Sequence, residues 1–547
     1  MSCGTRKFVR VTKFLLAGVT VFCVSWIACV NEWHSGVRWR GRRVVQENLA
    51  TMRTIVAYSE GMQAELDRPS PVTCNKLPAL PKVPHINHTW SRDGGDTIWQ
   101  KVQGTSVSLY SAYYDERTPQ RYIRILAIFH GRNISFEEPL FCQTRLINPN
   151  EYSVEVVAAK PLQIWWQGWD TTTSYVDTPL LLSCPLTESL SGPSVVSIVT
   201  QPCDYPSNGF YLKPKRLDNK YARTFTICVK DLSFQKDISR NLIEWVETNK
   251  LLGADMIDIY IDNISKENED VLLYYRSQGY IRLFRVPIND NANRTLWQRR
   301  RDHIISYNDC LYRNIAESKY IVPLDIDEIL LPKISFTWPA LIKRLAYHGW
   351  NSKQYSSILV QNVFFFDFLQ GTHNYKSSVY SNKKRIYTKR DDVRIDDIEN
   401  LILQEIELID DTDSYKYELN TLHEEGRNYR TECGMELPVP KLASHIISSA
   451  VISPVGHYSK SFMLTKRVLT AFNHYPLASL GTATVAGWSA PFNEVQLNHY
   501  KESCNLTVME DCETYLRKAR IDRSAVRLRR PLTQAIEDTL CSKLNNV

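Results

Sequence analysis

The sequence KYIVPLDIDE, residues 319–328, decides the fold class. Its apolar run ends in Asp325 and Asp327, which predicts a buried strand with two carboxylates at its carboxyl end. Residues i and i+2 of a strand point to the same side, so both aspartates can bind one hard cation, Mg²⁺ or Mn²⁺. Asp411 and Asp413 have the same spacing but follow no hydrophobic strand, and a solvated loop is predicted there.

Strand and helix patterns alternate upstream of this stretch. The predicted strands are TFTICVK at 224–230, MIDIYID at 256–262 and YIRLFRVPI at 280–288. The predicted helices are one at 238–252 that Gly253 ends, one that Ser265 caps and Gly279 ends, and one with Ile304, Leu311, Tyr312 and Ile315 on one side. This alternation predicts an α/β fold with a parallel sheet, helices on both faces and ligands outside the carboxyl ends of the strands.

Residues 96–215 hold short β-rich runs with no convincing helix between them. They predict a small all-β accessory domain, followed by the α/β catalytic domain at 216–505 and a C-terminal extension at 506–547. A cluster of aromatic residues in the β-rich part either stacks on a sugar ring or, more commonly for such residues, packs within or between domains. Its members are Trp165, Trp166, Trp169 and Tyr175.

Residues 14–30 contain no charged side chain and follow four basic residues in 1–13. This pattern predicts a transmembrane signal anchor behind a cytosolic tail, with a cleaved signal peptide as the alternative, and a proline-rich stem at 31–95. The net charge of +7 lies within residues 1–43, and the rest of the chain is neutral. A nucleic-acid-binding protein needs positive charge on its folded domain, so the charge distribution argues against that class.

Two further features concern the compartment. Ten cysteines follow the predicted anchor, an even number that permits disulfides in an oxidising environment. Five Asn-x-Ser/Thr triplets also follow it, at Asn87, Asn133, Asn263, Asn293 and Asn505. Together they predict a single-pass type II protein of the Golgi membrane with its catalytic part in the lumen.

Several motifs, taken in their order along the chain, resemble those of glycosyltransferase family 92. They are YSAYYDER at 110–117, ISYNDCLYRNIAESKYIVPLDIDEILLP at 305–332, YSKSFML at 458–464, FNHYP at 472–476 and LNHYK at 497–501. The resemblance implies a GT-A fold, the Rossmann-like fold of nucleotide-diphospho-sugar transferases, and transfer with inversion at the anomeric carbon. It also implies UDP-galactose as the donor and β1,4 linkages to galactose or fucose acceptors.

The resemblance also implies roles for single residues. Asp325 and Asp327 match the family's metal-binding pair, with Asp325 also close to the donor. His499 matches a histidine that often completes the metal site, and His474 is the competing choice. Lys460 matches a lysine suited to the donor diphosphate, where a compact positive charge is useful.

Other site residues rest on position alone. Asp262 ends the second predicted strand and either contacts uridine or ribose or caps the next turn. The three residues Arg299, Arg300 and Arg301 either assist donor binding or form one solvated helix face. Inverting transfer also needs a general base. The two candidates are Asp367 and Glu405. Burial among phenylalanines would raise the pKa of Asp367.

Two other functional classes compete with a transferase. A glycoside hydrolase also uses paired carboxylates, but these flank a sugar ring at about 5 to 10 Å from each other, and an i, i+2 pair suits a metal better. A non-catalytic carbohydrate-binding protein with an inactive transferase fold is the second alternative. Metal-dependent UDP binding separates it from an enzyme.

Overall fold

A computed structural model describes residues 70–75, 80–92, 98–132, 139–148, 151–165, 176–187, 192–213, 220–289, 294–370, 407–408, 429–430, 433–434, 436–437, 439–481, 487–504, 509 and 511–545. They belong to one compact unit, Leu66–Val547, and the unit Met1–Glu65 lies outside them. The predicted cytosolic tail and anchor, most of the stem, Glu405 and the predicted loop at 411–413 also lie outside the described residues.

Between residues 98 and 213 the described residues form strands and no helix. In chain order the strands are β1 (Gln100–Lys101), β2 (Val107–Asp115), β3 (Tyr122–His130), β4 (Phe141–Asn148), β5 (Glu151–Ala158), β6 (Lys160–Gln163), β7 (Asp177–Pro185), β8 (Val195–Val199) and β9 (Phe210–Tyr211). They build two antiparallel sheets, ordered β1-β2-β3-β7-β6 and β5-β4-β8-β9, around a shared core that includes Ile123, Ile125 and Ile198. These strands lie in the region predicted to be β-rich, and the domain boundaries at 95, 215 and 505 stay predictions.

The described part of the chain from residue 220 onward combines strands with helices. Its strands are β10 (Arg223–Phe234), β11 (Met256–Ile264), β12 (Ile281–Arg285), β13 (Ser318–Pro323), β14 (Glu328–Pro332), β15 (Ser357–Val360), β16 (Asn362–Phe366), β17 (Glu407–Leu408), β18 (Tyr429–Arg430), β19 (Glu436–Leu437), β20 (Ile447–Ser449), β21 (Lys460–Leu464), β22 (Val468–Ala471), β23 (Pro476–Ser479), β24 (Trp488–Ser489), β25 (Val495–Lys501) and β26 (Lys518–Ile521). Its helices are α1 (Ser239–Leu252), α2 (Lys266–Ser277), α3 (Leu296–Asn314), α4 (Trp338–Tyr347), α5 (Asp367–Gln370), α6 (Lys441–Ser444), α7 (Cys512–Leu516) and α8 (Arg529–Asn545).

Seven strands form the central sheet, in the order β12-β11-β10-β13-β21-β15-β24. Its first four strands are parallel, which confirms the parallel arrangement predicted for them. Strand β21 runs antiparallel to both of its neighbours, so the complete sheet is mixed. The α/β class is thereby confirmed.

The helix boundaries follow the predicted signals. The side chain of Ser265 accepts a hydrogen bond from the backbone N–H of Asn268 and caps α2. Thr295 caps α3 in the same way, through the N–H of Gln298 at 3.1 Å. Helix α1 ends at Gly253, whose φ of 97° is a left-handed conformation that favours glycine.

A small three-stranded sheet has the order β14-β25-β16, and its strands alternate along the chain with strands of the central sheet. Strand β14 pairs with β25 so that Glu328 stands opposite His499. Strand β16 pairs with β25 from the other side, with Phe364 opposite His499. The register therefore brings the end of the DIDE segment to the LNHYK segment.

All ten cysteines outside residues 1–43 form disulfides, which confirms that their even number indicated disulfide pairing. The pairs are Cys74–Cys203, Cys142–Cys184, Cys228–Cys310, Cys433–Cys541 and Cys504–Cys512. Cys228–Cys310 joins strand β10 to helix α3, so it holds two elements that carry site residues against each other.

The predicted membrane anchoring is contradicted. Within the described part of the chain, no helix is both long and apolar enough to cross a bilayer. The segment proposed as the anchor, 14–30, lies outside the described residues. We therefore withdraw the prediction of a single-pass type II Golgi membrane protein. Of the five acceptor asparagines, Asn87 and Asn263 are described, and both are exposed.

Candidate active site

Asp325 and Asp327 lie in the turn that joins β13 to β14, and not on one strand as the sequence suggested. Strand β13 already ends at Pro323. The turn is fixed by two hydrogen bonds: the N–H of Asp325 donates to the Glu328 carboxylate at 2.9 Å, and the N–H of Glu328 donates to the Asp325 carbonyl at 3.1 Å. This turn directs the two aspartates to different sets of partners.

Asp325 is held by two lysines. The Nζ atoms of Lys230 and Lys460 lie 2.8 and 3.0 Å from its carboxylate oxygens. Lys460 is buried and also contacts Glu328 at 3.1 Å and the side-chain oxygen of Asn473 at 3.1 Å. Burial alone would raise the pKa of Asp325, but the charges of Lys230 and Lys460 hold it well below its usual range. The predicted pairing of Lys460 with the donor diphosphate stays a prediction.

Asp327 faces the small sheet. Lys501 donates to its Oδ2 at 2.9 Å, and Nε2 of His499 lies 3.3 Å from the same oxygen. Nδ1 of His499 lies 3.6 Å from a Glu328 oxygen. Burial would raise the pKa of Asp327, but His499 and Lys501 lower it below its ordinary value.

Asp327, Glu328 and His499 form a group whose ligand atoms all lie within 4.8 Å of one another. His499 is buried, yet neither of its ring nitrogens makes a hydrogen bond within the described residues. Carboxylates are ligands that Mg²⁺ and Mn²⁺ prefer, and neutral imidazole is a common metal ligand. The three residues therefore fit a divalent cation, and Asp325 is not part of their group.

A cavity of about 510 Å³ opens beside this group. Asp325, Asp327 and Lys501 line one part of it. Its apolar lining comes from Val229, Leu232, Phe234, Ile238, Ile326 and Leu442, and its further polar lining from Asp231, Asn241, Glu244, Arg299, Lys441, Tyr500 and Glu502. The carboxylates and a lysine thus share one cavity, at the carboxyl end of β10.

A second charged cluster surrounds Asp231, at the carboxyl half of β10. Arg294 lies 3.1 Å from Asp231 and 2.7 Å from Asp262, while Arg299 lies 2.6 Å from Asp231. His303 contacts Asp231 at 3.2 Å. Burial would raise the pKa of Asp231, but His303 and Arg299 lower it to about 2. Asp262 is therefore paired with Arg294, which also contacts the cavity-lining Asp231. The predicted contact of Asp262 with uridine or ribose stays a prediction.

His474, the competing metal ligand, does not join the group of Asp327, Glu328 and His499. Its Nδ1–H donates to the carbonyl of Ser459 at 2.7 Å, and the side-chain amide of Asn473 donates to its Nε2 at 3.3 Å. Burial and the charge of Lys460 lower the pKa of His474 to about 3. These contacts fit a neutral His474 that supports Asn473, which in turn contacts Lys460.

Asp367 does not have the raised pKa that its apolar sequence context suggested. Burial does act in that direction, but hydrogen bonds with His445 and Lys441 lower the pKa of Asp367 below its usual value. Lys441 lies 2.6 Å and His445 3.1 Å from its carboxylate oxygens. Both partners come from a segment far along the chain, which is why the local sequence did not indicate them.

The three consecutive arginines have different environments. Arg299 lines the cavity, whereas Arg301 is buried, with its guanidinium 4.5 Å from the ring of Trp165. Arg300 lies over the ring of Trp297. A single solvated helix face is therefore wrong for Arg301, because α3 packs against the β-rich part. Trp165 is buried in the same contact, which agrees with a packing role; the other three aromatics of its cluster lie outside the described residues.

Sequence reasoning gave no role to Lys230, Asp231, Glu244, Glu328 or Lys501. A local signal existed for two of them: Lys230 is the last residue of the first predicted strand and Asp231 follows it, and the carboxyl end of such a strand is expected to face ligands. Lys501 was detectable as well, since it is two residues from His499 on one strand and shares its face. Glu244 had no such signal, because a mid-helix glutamate is ordinarily a solvated residue.

This fold and site agree with the glycosyltransferase class that the motifs imply. A family model described as glycosyltransferase family 92 matches residues 223–530, more than half of the chain. The chain therefore belongs to glycosyltransferase family 92. The matched region holds the central sheet, the small sheet and every cavity-lining residue.

The chain is also similar to beta-1,4-galactosyltransferase galt-1 of Caenorhabditis elegans. The two are 21% identical over 240 residues, which cover 41% of this chain and 51% of that protein. The chain thus spans about half the length of this curated relative.

Proposed function

We propose that the chain is a metal-dependent, inverting β1,4-galactosyltransferase with a GT-A catalytic domain, which transfers galactose from UDP-galactose to a glycan. Membership of the family supports transfer from a nucleotide sugar to a glycan acceptor. The β1,4-galactosyltransferase activity of the nematode relative supports galactose and the β1,4 linkage. Inversion is carried over from the resemblance of the motifs.

The observation that carries the proposal is the meeting of acidic and basic residues at one cavity. Asp327, Glu328 and His499 would hold Mn²⁺ or Mg²⁺, with Asp325 close by. When bound, the ion would neutralise charge on the departing nucleoside diphosphate. Lys230, Lys460 and Lys501 contact these same carboxylates, and we propose that they bind phosphate oxygens once the carboxylates have another cation.

The first test is binding of UDP to the purified protein with and without Mn²⁺. We expect binding that depends on the ion and is lost in Asp327→Ala, together with transfer activity. Asp270→Ala is the matched control, because this aspartate is half-buried on α2, lies 3.9 Å from Lys266 and does not line the cavity. Transfer that needs no metal and survives Asp327→Ala would refute the proposal.

The second test defines the substrates. A panel of UDP-sugars is offered with galactosylated and fucosylated glycans, and the linkage of each product is determined. The proposal predicts preference for UDP-galactose and a β1,4 product. A different hexose or an α linkage would refute that part while leaving the family assignment intact.

A further inference from the structure

We propose that Glu244 is the general base that removes the proton from the acceptor hydroxyl, an inference that rests on the transferase function proposed above. Its carboxyl lies on α1 and lines the same cavity as Asp325 and Asp327. Only 8% of the residue is exposed. A base that acts in a donor cavity needs this kind of access to the cavity with little access to bulk water.

The other carboxylates that line the cavity are less suited to the task. Asp231 is paired with two arginines and a histidine. Asp325 and Asp327 belong to the lysine and metal-binding contacts described above. Glu502 is largely exposed, with 69% of its side chain open to solvent.

Glu244, in contrast, makes no ion pair with any described residue. Its Oε1 accepts the backbone N–H of Leu442, at the start of α6. The nearby amine of Lys441 is bound to Asp367 at 2.6 Å and so does not pair with Glu244. Asp367 therefore acts on the cavity indirectly, because it binds the amine of Lys441 that would otherwise pair with Glu244.

Protonation behaviour agrees with this geometry. Burial raises the pKa of Glu244 to about 7, while the backbone N–H groups of Leu442 and Lys441 and the charge of Lys441 act in the opposite direction. Among the described residues, the charged or titratable side chains that act on Glu244 are those of Lys441 and Tyr500. A base with a pKa near the working pH combines a useful ionised fraction with a useful proton affinity.

In the proposed step, one proton is transferred, one bond forms and one bond breaks. The acceptor hydroxyl gives its proton to the Glu244 carboxylate, and its oxygen forms a bond to the anomeric carbon of the donor sugar. The bond from that carbon to the β-phosphate oxygen breaks, and its electron pair leaves with the nucleoside diphosphate. Glu244 is regenerated when its proton passes to solvent.

Glu244→Gln tests the assignment, because glutamine keeps an oxygen that can accept the Leu442 N–H but cannot take a proton. We expect kcat to fall by at least about 100-fold, the usual contribution of a general base. Binding of UDP with Mn²⁺ and the KM for the donor should stay at wild-type values. In the wild type, kcat should decline as the pH falls below about 7, and this decline should disappear from the residual activity of Glu244→Gln.

Glu247→Gln is the matched control. Glu247 is also buried on α1, but it binds Lys250, Tyr275 and Thr539 and does not line the cavity. It should keep wild-type kcat and its pH profile. A purely structural Glu244 that only caps α6 would lower thermal stability without changing the pH profile of kcat.

A wild-type kcat in Glu244→Gln with intact UDP binding would overturn the assignment and leave the transferase proposal standing. Absence of metal-dependent UDP binding in the wild type would instead refute the proposed function. If Glu244→Gln does not fold, Glu244→Asp is measured. It should lower kcat and keep the acidic decline, and an unchanged kcat would again overturn the assignment.

Discussion

Replacing Lys501 by methionine should tighten the binding of Mn²⁺ to the nucleotide-free protein. Lys501 lies 2.9 Å from Oδ2 of Asp327, an oxygen that belongs to the metal-binding group. A cation that enters this group must therefore displace the lysine or share the oxygen with it. Methionine keeps most of the aliphatic length of lysine and removes this competition.

The size of the expected change in Mn²⁺ affinity follows from how exposed the ion pair of Lys501 and Asp327 is. The side chains of Lys501 and Asp327 are 33% and 37% exposed, which is intermediate between a surface pair and a buried one. Surface pairs contribute about 0.2 to 1 kcal/mol, and breaking a buried pair costs about 3 to 5 kcal/mol. We take about 1 to 2 kcal/mol for Lys501, which corresponds to an affinity about 5 to 30 times higher.

Isothermal titration calorimetry of the metal-free protein measures this change. Lys236→Met is the control, because Lys236 is exposed and contacts Glu502 at 3.5 Å, so it removes one positive charge without touching the metal-binding group. Its effect should stay under about twofold, because surface charges are screened by salt. An Mn²⁺ affinity in Lys501→Met that equals or falls below the wild-type value would show that Lys501 does not compete for Asp327.

Three further outcomes are expected. Lys460→Met should lower the free energy of unfolding by about 3 kcal/mol, because it breaks a buried pair, and thermal unfolding measures the loss. Asp302 has a pKa raised to about 7 by burial, so the folded state holds its proton more firmly, and the stability from this group is lost as the pH rises through about 7. Asp302→Asn should therefore lose less stability than the wild type between pH 5 and 8, measured as melting temperature against pH. Replacing Cys228 and Cys310 by alanine should cost about 2 to 5 kcal/mol in chemical unfolding, and a loss under about 1 kcal/mol would contradict this.

Much of the α/β fold was predictable because its signals are local. Alternation of strands and helices, the cap at Ser265 and the terminating Gly253 depend on neighbouring residues, and the structure reproduces them. The antiparallel strand β21 was not predictable, because its partner strands β13 and β15 lie far away in the chain. Pairing between distant segments depends on tertiary packing, which no local pattern encodes.

The site was predictable only where a motif carried it. Asp325, Asp327, His499 and Lys460 were all named from motifs, and the structure brings them to one region, while their roles stay predictions. The different partners of Asp325 and Asp327 were not foreseen, because they include Lys230 and Lys501, which lie on other strands. The apolar sequence around Asp367 was misleading for the same reason: His445 and Lys441 reach it from another segment.

The register between β14 and β25 makes the candidate metal site depend on pairing between distant segments. Glu328 and His499 are distant in sequence and meet only when these two strands are paired correctly. A shift of one residue would turn His499 to the opposite face of the small sheet and separate it from Glu328. Contacts between distant segments form slowly because they must first close a long loop. The appearance of tight Mn²⁺ binding during refolding would therefore report the completion of this pairing.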